Sequence, residues 1–193
     1  MSYPDTHHDV YSKTIFGFWV YLATDFMMFA TLFATYDVLH THTFGGPSAR
    51  ELFNLPYTLV QTLILFISSF TIGVGGILAH RNHKNSTIFL FLLTFLLGIA
   101  FMWMELGEFA HLIKGGNSWH RSAFLSIFFT LVGVHGVHMI FALLWVIVLI
   151  VPVCLNGLTS VSVKRLTCLK MFWQFLNIVW IFIFSVVYLM GVY

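Results

Sequence analysis

Five long apolar stretches dominate this chain, and each is long enough to cross a lipid bilayer as a helix. They cover about residues 15–39, 57–80, 87–113, 122–153 and 171–192. A bilayer core is roughly 30 Å thick, so a spanning helix needs about 20 mostly apolar residues. Only 8% of the residues are charged and 59% are hydrophobic, which is too little charge for the surface of a water-soluble domain.

The apolar runs are continuous, as in the segment FLFLLTFLLGIAFMWM at residues 89–104. A membrane barrel would instead alternate apolar and polar residues in segments of about 10 residues. A helix also satisfies its backbone hydrogen bonds internally, as the hydrocarbon requires. The sequence therefore predicts an all-α integral membrane protein, a bundle of five transmembrane helices. We expect residues 1–14 to be a polar N-terminal segment and residues 15–193 to be one membrane domain.

The distribution of basic residues predicts the orientation, because lysine and arginine are enriched in cytoplasmic connections. The N-terminal segment and the second and fourth connections share one side of the membrane, which holds Lys13, Arg81, Lys84, Lys164, Arg165 and Lys170. The other side holds Arg50, Lys114 and Arg121. We therefore expect residues 1–14 to be cytoplasmic and the C-terminus to lie outside, in the periplasm. The net charge of +2 is too small to indicate nucleic-acid binding.

Asp25 is an ionisable residue near the middle of the first predicted helix. It lies ten residues after Ile15, which at a rise of about 1.5 Å per residue is about 15 Å into the membrane. Ionisable groups at this depth are costly and often functional. Two interpretations stay open: a carboxyl group that binds protons or contacts lipid, or a protonated carboxyl that is hydrogen-bonded to a neighbouring helix.

Glu105 and Glu108 are three residues apart, so they share a face of the third predicted helix. Glu108 and His111 also form one Glu-x-x-His pattern. A di-iron helix bundle needs two such patterns and two further glutamates. Because the second pattern is missing, we predict no metal site, and partial solvation or hydrogen bonds to adjacent helices explain the pair better.

His135 and His138 share a face of the fourth predicted helix, in the segment GVHGVHM. Bis-histidine ligation of a haem would need ligands from two facing helices at the same depth. The other predicted helices carry histidine only at their ends. We therefore expect hydrogen bonds between close-packed helices instead, with Gly133 and Gly136 providing the room.

Gln174 and Asn177, in the segment FWQFLNIVW, are uncharged amides that can join membrane helices by hydrogen bonds. Small residues that allow helices to approach closely occur in the second helix as two small-xxx-small pairs, Ser69/Gly73 and Gly75/Ala79. The chain carries no nucleophile–base pair, phosphate loop or cofactor fingerprint. We therefore predict no catalytic residue, no cofactor-binding residue and no metal ligand.

Three segments resemble subunit III of the haem–copper respiratory oxidases: GFWVYLATDFMMF (17–29), GVHGVHM (133–139) and FWQFLNIVWIFIFSVVYLMG (172–191). The stretches FATYDVL, LFNLPYTLVQT and LTS are similar to the quinol-oxidising branch of that family, the cytochrome bo-type ubiquinol oxidases. The resemblance covers nearly the whole chain from Lys13 onwards. It implies an all-helical, multi-pass subunit of a bacterial inner membrane, which takes part in aerobic respiratory electron transport.

The resemblance also implies the partners and the site residues. The chain would pack against the catalytic subunit I, which would hold the haems and the copper, and it would stabilise that subunit, hold phospholipid between its helices and assist proton uptake. Asp25 corresponds to the intramembrane carboxylate of the family. Glu105 and Glu108 correspond to its pair of glutamates, and His135 and His138 to its His-Gly-x-His motif.

The last helix departs from the family pattern Trp-His-Phe-x-Asp-x-Val-Trp, because Gln174 stands for the histidine and Asn177 for the aspartate. A neutral pair can keep hydrogen bonds, which favours a structural role for these two positions. Three other functions stay open at this point: subunit III of a cytochrome c-oxidising complex, a small haem-b electron carrier, and a proton-coupled transporter that uses Asp25.

Overall fold

Five long helices form the protein, in a computed structural model that describes residues 6–40 and 54–192 and, among these, the side chains of 13–40 and 54–191. The helices are α1 (Thr6–Leu39), α2 (Leu55–His80), α3 (Lys84–Lys114), α4 (Ala123–Asn156) and α5 (Ser160–Ile183). A π-helical segment, Phe184–Leu189, continues α5, and Met190–Val192 forms a last helical turn.

Each of the five helices contains a stretch long and apolar enough to cross a membrane, the fifth with its π-helical continuation. Within the described ranges the chain forms no β-strand. The predicted fold class, an all-α membrane protein with five spanning helices, is therefore confirmed. The orientation of the termini stays a prediction.

Two predicted helix starts were wrong. α1 begins at Thr6 instead of residue 15, and α5 begins at Ser160 instead of residue 171. Apolar composition marks the part of a helix that lies in hydrocarbon, but backbone hydrogen bonds continue beyond it through polar residues. α5 starts where Thr159 caps it, since the Thr159 hydroxyl accepts a hydrogen bond from the Ser162 backbone N–H at 3.1 Å. The remaining ends differ from the predicted ones by at most three residues, when the π-helical segment and the last turn are counted with α5.

Four of the helices form a closed ring. α2 and α3 are joined by a short turn at Asn82, whose φ of 61° lies in the left-handed region that asparagine tolerates. α3 packs on α4, α4 packs on α5, and α5 returns to α2. α1 lies outside the ring, against α4 and α5. Much of α1 therefore presents an exposed apolar surface that includes Phe16, Trp19 and Met27.

The side chains of α5 and its π-helical continuation fill the interior. Trp173, Trp180 and Tyr188 are fully buried. A Cβ atom at Gly98 on α3 would lie 2.6 Å from the Trp173 ring, so only glycine leaves room for that indole. In the π-helical segment the Met190 backbone N–H reaches back to the Ser185 carbonyl oxygen. Such wide turns are frequent at functional sites, and this one carries Tyr188 into the interior.

Candidate functional site: buried polar groups in the helix bundle

Asp25 on α1 faces His138 on α4, with 3.9 Å between Asp25 Oδ2 and His138 Nε2. The other ring nitrogen of His138, Nδ1, lies 2.7 Å from the Val134 carbonyl oxygen. A carbonyl oxygen only accepts hydrogen bonds, so Nδ1 carries its hydrogen and donates it. Nε2 then faces the carboxyl group, so this contact brings α1 against α4.

The surroundings of this pair are mostly apolar. Asp25 is 9% exposed, and its Oδ2 forms no hydrogen bond within the described residues. The Phe29 and Phe172 rings lie beside the imidazole of His138, with centroid distances of 5.4 Å and 6.3 Å. The Tyr21 side chain lies one turn before Asp25 and interacts with its carboxyl group. The structure thus brings Asp25 and His138 together, which sequence spacing alone could not predict.

A second group lies between α2, α3, α4 and the π-helical segment, and we call Gln61, Glu105, Glu108 and Tyr188 the glutamate cluster. Glu108 Oε2 accepts a hydrogen bond from the Tyr188 hydroxyl at 3.3 Å. The Gln61 carboxamide lies beside the Glu108 carboxyl group. Glu105 is only 2% exposed and lies against Gly136, where a Cβ atom would stand 2.9 Å from Glu105 Oε1.

The glutamate cluster contains buried polar atoms without a hydrogen-bond partner among the described residues. These are Oε1 and Nε2 of Gln61 and Oε2 of Glu105. A cavity of about 340 Å³ lies next to Glu108, at the end of the bundle where α2 begins and α3 ends. We call it the Glu108 cleft, and it is lined by Asn54, Tyr57, Gly107, Glu108, His111 and Leu112. Glu108 is therefore reachable from outside the bundle, whereas Glu105 lies deeper.

His135 joins α4 to α5. Its Nε2 lies 3.2 Å from the Leu176 carbonyl oxygen, to which it donates. The ring is fully buried between Phe101 and Trp180, at centroid distances of 5.9 Å and 5.2 Å. His135 and His138 thus contact different partners. In the part of the chain that the structure describes, no group of three or more histidine, cysteine, aspartate or glutamate side chains could hold a metal ion.

Gln174 and Asn177 face different surroundings although they are one helical turn apart. Asn177 is 8% exposed and donates to the Trp173 carbonyl oxygen of its own helix at 3.2 Å, so this bond does not join two helices. Gln174 is half-buried and lines two surface grooves. One groove lies between α2 and α5 and has a volume of about 510 Å³, and the other lies between α1 and α5 and has about 360 Å³.

The small residues of α2 also divide into two faces. Gly75 lies against the Phe91 ring of α3, 3.1 Å from where its Cβ would stand, and Ala79 is buried. Ser69 and Gly73 line the groove between α2 and α5 instead. Gly133 on α4, also predicted to pack closely, has no atom within 4 Å of its Cβ position that belongs to another part of the described chain.

Sequence reasoning missed two kinds of polar contact. Gln61 is a lone amide in an apolar helix, the same signal that identified Gln174, and it could have been found. Tyr188, which is buried in the π-helical segment, gives no such signal in the sequence. Two indole hydrogen bonds also join α5 to α2: Trp173 Nε1 to Ser68 Oγ at 3.0 Å, and Trp180 Nε1 to Thr62 Oγ1 at 3.1 Å.

Comparison with known proteins adds a likeness that extends over nearly the whole chain. The family profile described as "Cytochrome c oxidase subunit III" matches residues 2–192. "Cytochrome bo(3) ubiquinol oxidase subunit 3" of Pseudomonas aeruginosa is 53% identical over 187 residues, covering 97% of this chain and 90% of that protein. The protein of the same name from Pseudomonas putida is 44% identical over 185 residues, with 96% and 89% covered. "Quinol oxidase subunit 3" of Bacillus subtilis is 38% identical over 177 residues, with 92% and 87% covered.

Proposed function

This chain belongs to the cytochrome c oxidase subunit III family, and we propose that it serves a bacterial quinol oxidase as a non-catalytic subunit that stabilises the catalytic subunit and binds phospholipid. The observation that carries the proposal is the full-length similarity to proteins named subunit 3 of ubiquinol and quinol oxidases. That similarity favours the quinol-oxidising branch over an independent electron carrier or transporter. The haems and copper belong, in this proposal, to the catalytic subunit.

The hydrogen bonds inside the bundle support a structural role. His135 joins α4 to α5, and the indoles of Trp173 and Trp180 join α5 to α2. Such contacts between membrane helices contribute about 0.6–2 kcal/mol each. Their polar groups are engaged within the bundle, which suits a subunit that holds its shape and offers its outer surface to neighbours.

The two surface grooves that meet at Gln174 suit phospholipid. The groove between α1 and α5 is lined by apolar side chains that include Trp19, Phe26 and Phe175. The groove between α2 and α5 is lined by Phe66, Phe70 and Val74 among others. Walls of this kind contact acyl chains well, and Gln174 offers an amide to a polar atom between them. The proposal therefore includes lipid held against α5, in a bacterial inner membrane with the N-terminus in the cytoplasm.

The test is purification of the intact complex through an affinity tag on this chain, in a mild detergent. We expect co-purification of a haem-bearing catalytic subunit and quinol oxidase activity. Removing this chain from the complex with a harsher detergent should leave the haem spectrum with the catalytic subunit and shorten the lifetime of the activity. Haem absorption that follows this chain after the separation would contradict the proposal, and so would quinol oxidation by this chain alone.

A further inference from the structure

The glutamate cluster holds buried polar atoms that have no hydrogen-bond partner among the residues that the structure describes. Gln61 is fully buried, and its carboxamide lies beside the Glu108 carboxyl group, but neither carboxamide atom forms a hydrogen bond of good geometry within the described residues. Glu105 Oε2 likewise forms no hydrogen bond within the described residues. Buried polar groups are almost always paired, and exceptions point to a bound water or ion. Gln61 lies beside Glu108, and Glu105 and Glu108 are one turn apart on the same face of α3, so these side chains are neighbours in the bundle.

Among the described residues, no lysine or arginine side chain is found to pair with the carboxyl groups of the cluster. Glu105 and Glu108 interact electrostatically with each other, and the recorded contacts of Glu108 are with Tyr188 and Gln61. The ion pair recorded within the described residues joins Asp25 to His138 instead. Two carboxyl groups this close, in a low-dielectric interior, favour the entry of one positive charge.

The Glu108 cleft gives that charge a path. Its volume of about 340 Å³ is about ten times the volume that one water molecule occupies in the liquid. Tyr57 lies on its wall and donates its hydroxyl hydrogen to the Met104 carbonyl oxygen at 2.9 Å, so its oxygen remains an acceptor. Asn54 and His111 add polar atoms at the same wall. The cleft therefore opens on Glu108 and offers polar atoms of Tyr57, Asn54 and His111 beside the apolar side chain of Leu112.

We propose that the glutamate cluster binds one small monovalent cation, as an alkali-metal ion or as a proton carried by bound water, which enters through the Glu108 cleft. The ligands are Gln61 Oε1, the carboxyl oxygens of Glu105 and Glu108, and the Tyr188 hydroxyl oxygen. Oxygen ligands of this kind suit hard cations.

Occupancy by a proton depends on the titratable groups that face the cluster from each helix packed around it. They are Tyr57 on α2, His111 on α3, His135 next to Gly136 on α4, and Tyr188 after α5, with Tyr36 of α1 beyond it. None of these side chains is a lysine or an arginine. A positive charge at the cluster therefore meets two carboxyl groups and no permanent cation among these neighbours.

The experiment uses the intact oxidase complex and measures the binding of radioactive sodium ions at alkaline pH. We expect saturable binding of one ion that weakens at least about tenfold in Glu108→Gln and in Gln61→Leu, because each change removes a ligand. Asp25→Asn is the matched control, since it removes a membrane carboxyl group outside the cluster, and sodium binding should remain. The measured quantity is the difference in sodium binding between the wild-type complex and each variant.

A second measurement distinguishes a proton from a metal ion. If the cation is a proton, sodium does not bind, and infrared difference spectra show the stretching band of a protonated carboxyl group that responds to bulk pH. That band should disappear in Glu105→Gln or Glu108→Gln and persist in Asp25→Asn. If these variants do not assemble, Tyr188→Phe removes a single hydroxyl group and should shift the band or weaken sodium binding. The proposal is overturned if every cluster variant that assembles binds sodium as tightly as the wild type and shows the same carboxyl bands. This outcome does not depend on whether the complex oxidises quinol.

Discussion

Asp25 on α1 and His138 on α4 face each other across 3.9 Å, and this contact joins a helix outside the four-helix ring to the ring itself. The His138 Nδ1–H is engaged with the Val134 carbonyl oxygen, so Nε2 remains for the carboxyl group. The separation is long for a hydrogen bond and within reach of an ion pair. The pair therefore links the position of α1 to that of α4.

We predict a measurable coupling energy between these two residues. Asp25→Asn keeps the size of the side chain and a hydrogen-bonding oxygen, so the complex should assemble and lose less than about 1 kcal/mol of stability. His138→Leu should cost more, because Asp25 then loses its partner. A double-mutant cycle on the detergent unfolding midpoint should show a coupling of about 0.5–1.5 kcal/mol. Strictly additive effects would show that the two side chains do not interact, and absence of the complex in Asp25→Asn would contradict the mild effect.

A second prediction concerns two glycines of α4 that are three residues apart. Gly136→Leu should destabilise the bundle by about 1–3 kcal/mol, because bulk at this position meets Glu105 Oε1 on α3. Gly133→Leu is the matched control, since nothing from elsewhere in the described chain lies within 4 Å of its Cβ position. The yield and thermal stability of the purified complex measure both. Equal tolerance of the two variants would show that α3 and α4 do not cross closely at Gly136.

A third prediction separates two adjacent serines of α2. Ser68→Ala should cost about 1–3 kcal/mol, because the buried Trp173 indole N–H then loses the oxygen that accepts its hydrogen bond. Ser69→Ala should cost little, since Ser69 lines the outer groove. Unfolding followed by tryptophan fluorescence compares the two variants directly. The prediction fails if both serines tolerate alanine equally.

The groove between α2 and α5 allows a test of lipid binding. Gly73 faces Gln174 Nε2 at 3.8 Å from its Cβ position, so Gly73→Phe would place a ring inside the groove. We expect the complex to assemble with less bound phospholipid, as measured by mass spectrometry of the extracted lipids. Gly17→Phe is a control on α1, at a position with no neighbour within 4 Å in the described chain. An unchanged lipid content in Gly73→Phe would argue against lipid in this groove.

The five membrane helices could be predicted because hydropathy is a local property that a single segment carries. The first residues of α1 and α5 could not be predicted in this way, because helical hydrogen bonding continues past the apolar residues until a cap such as Thr159. The family could also be inferred from the resemblance of short segments, and the full-length comparisons confirm it. The roles proposed for the individual polar residues stay predictions that the experiments above address.

Composition and hydropathy alone determined that this chain spans a membrane as helices, because each span satisfies its own backbone and needs no information from distant residues. Which faces of those helices meet was decided only by the tertiary structure. Gln61 and Gln174 are the same residue type in similar apolar helices, yet one is buried beside Glu108 and the other lines surface grooves. In hydrocarbon, burial does not select the inward face by hydrophobicity, so close packing and hydrogen bonds between helices make that choice.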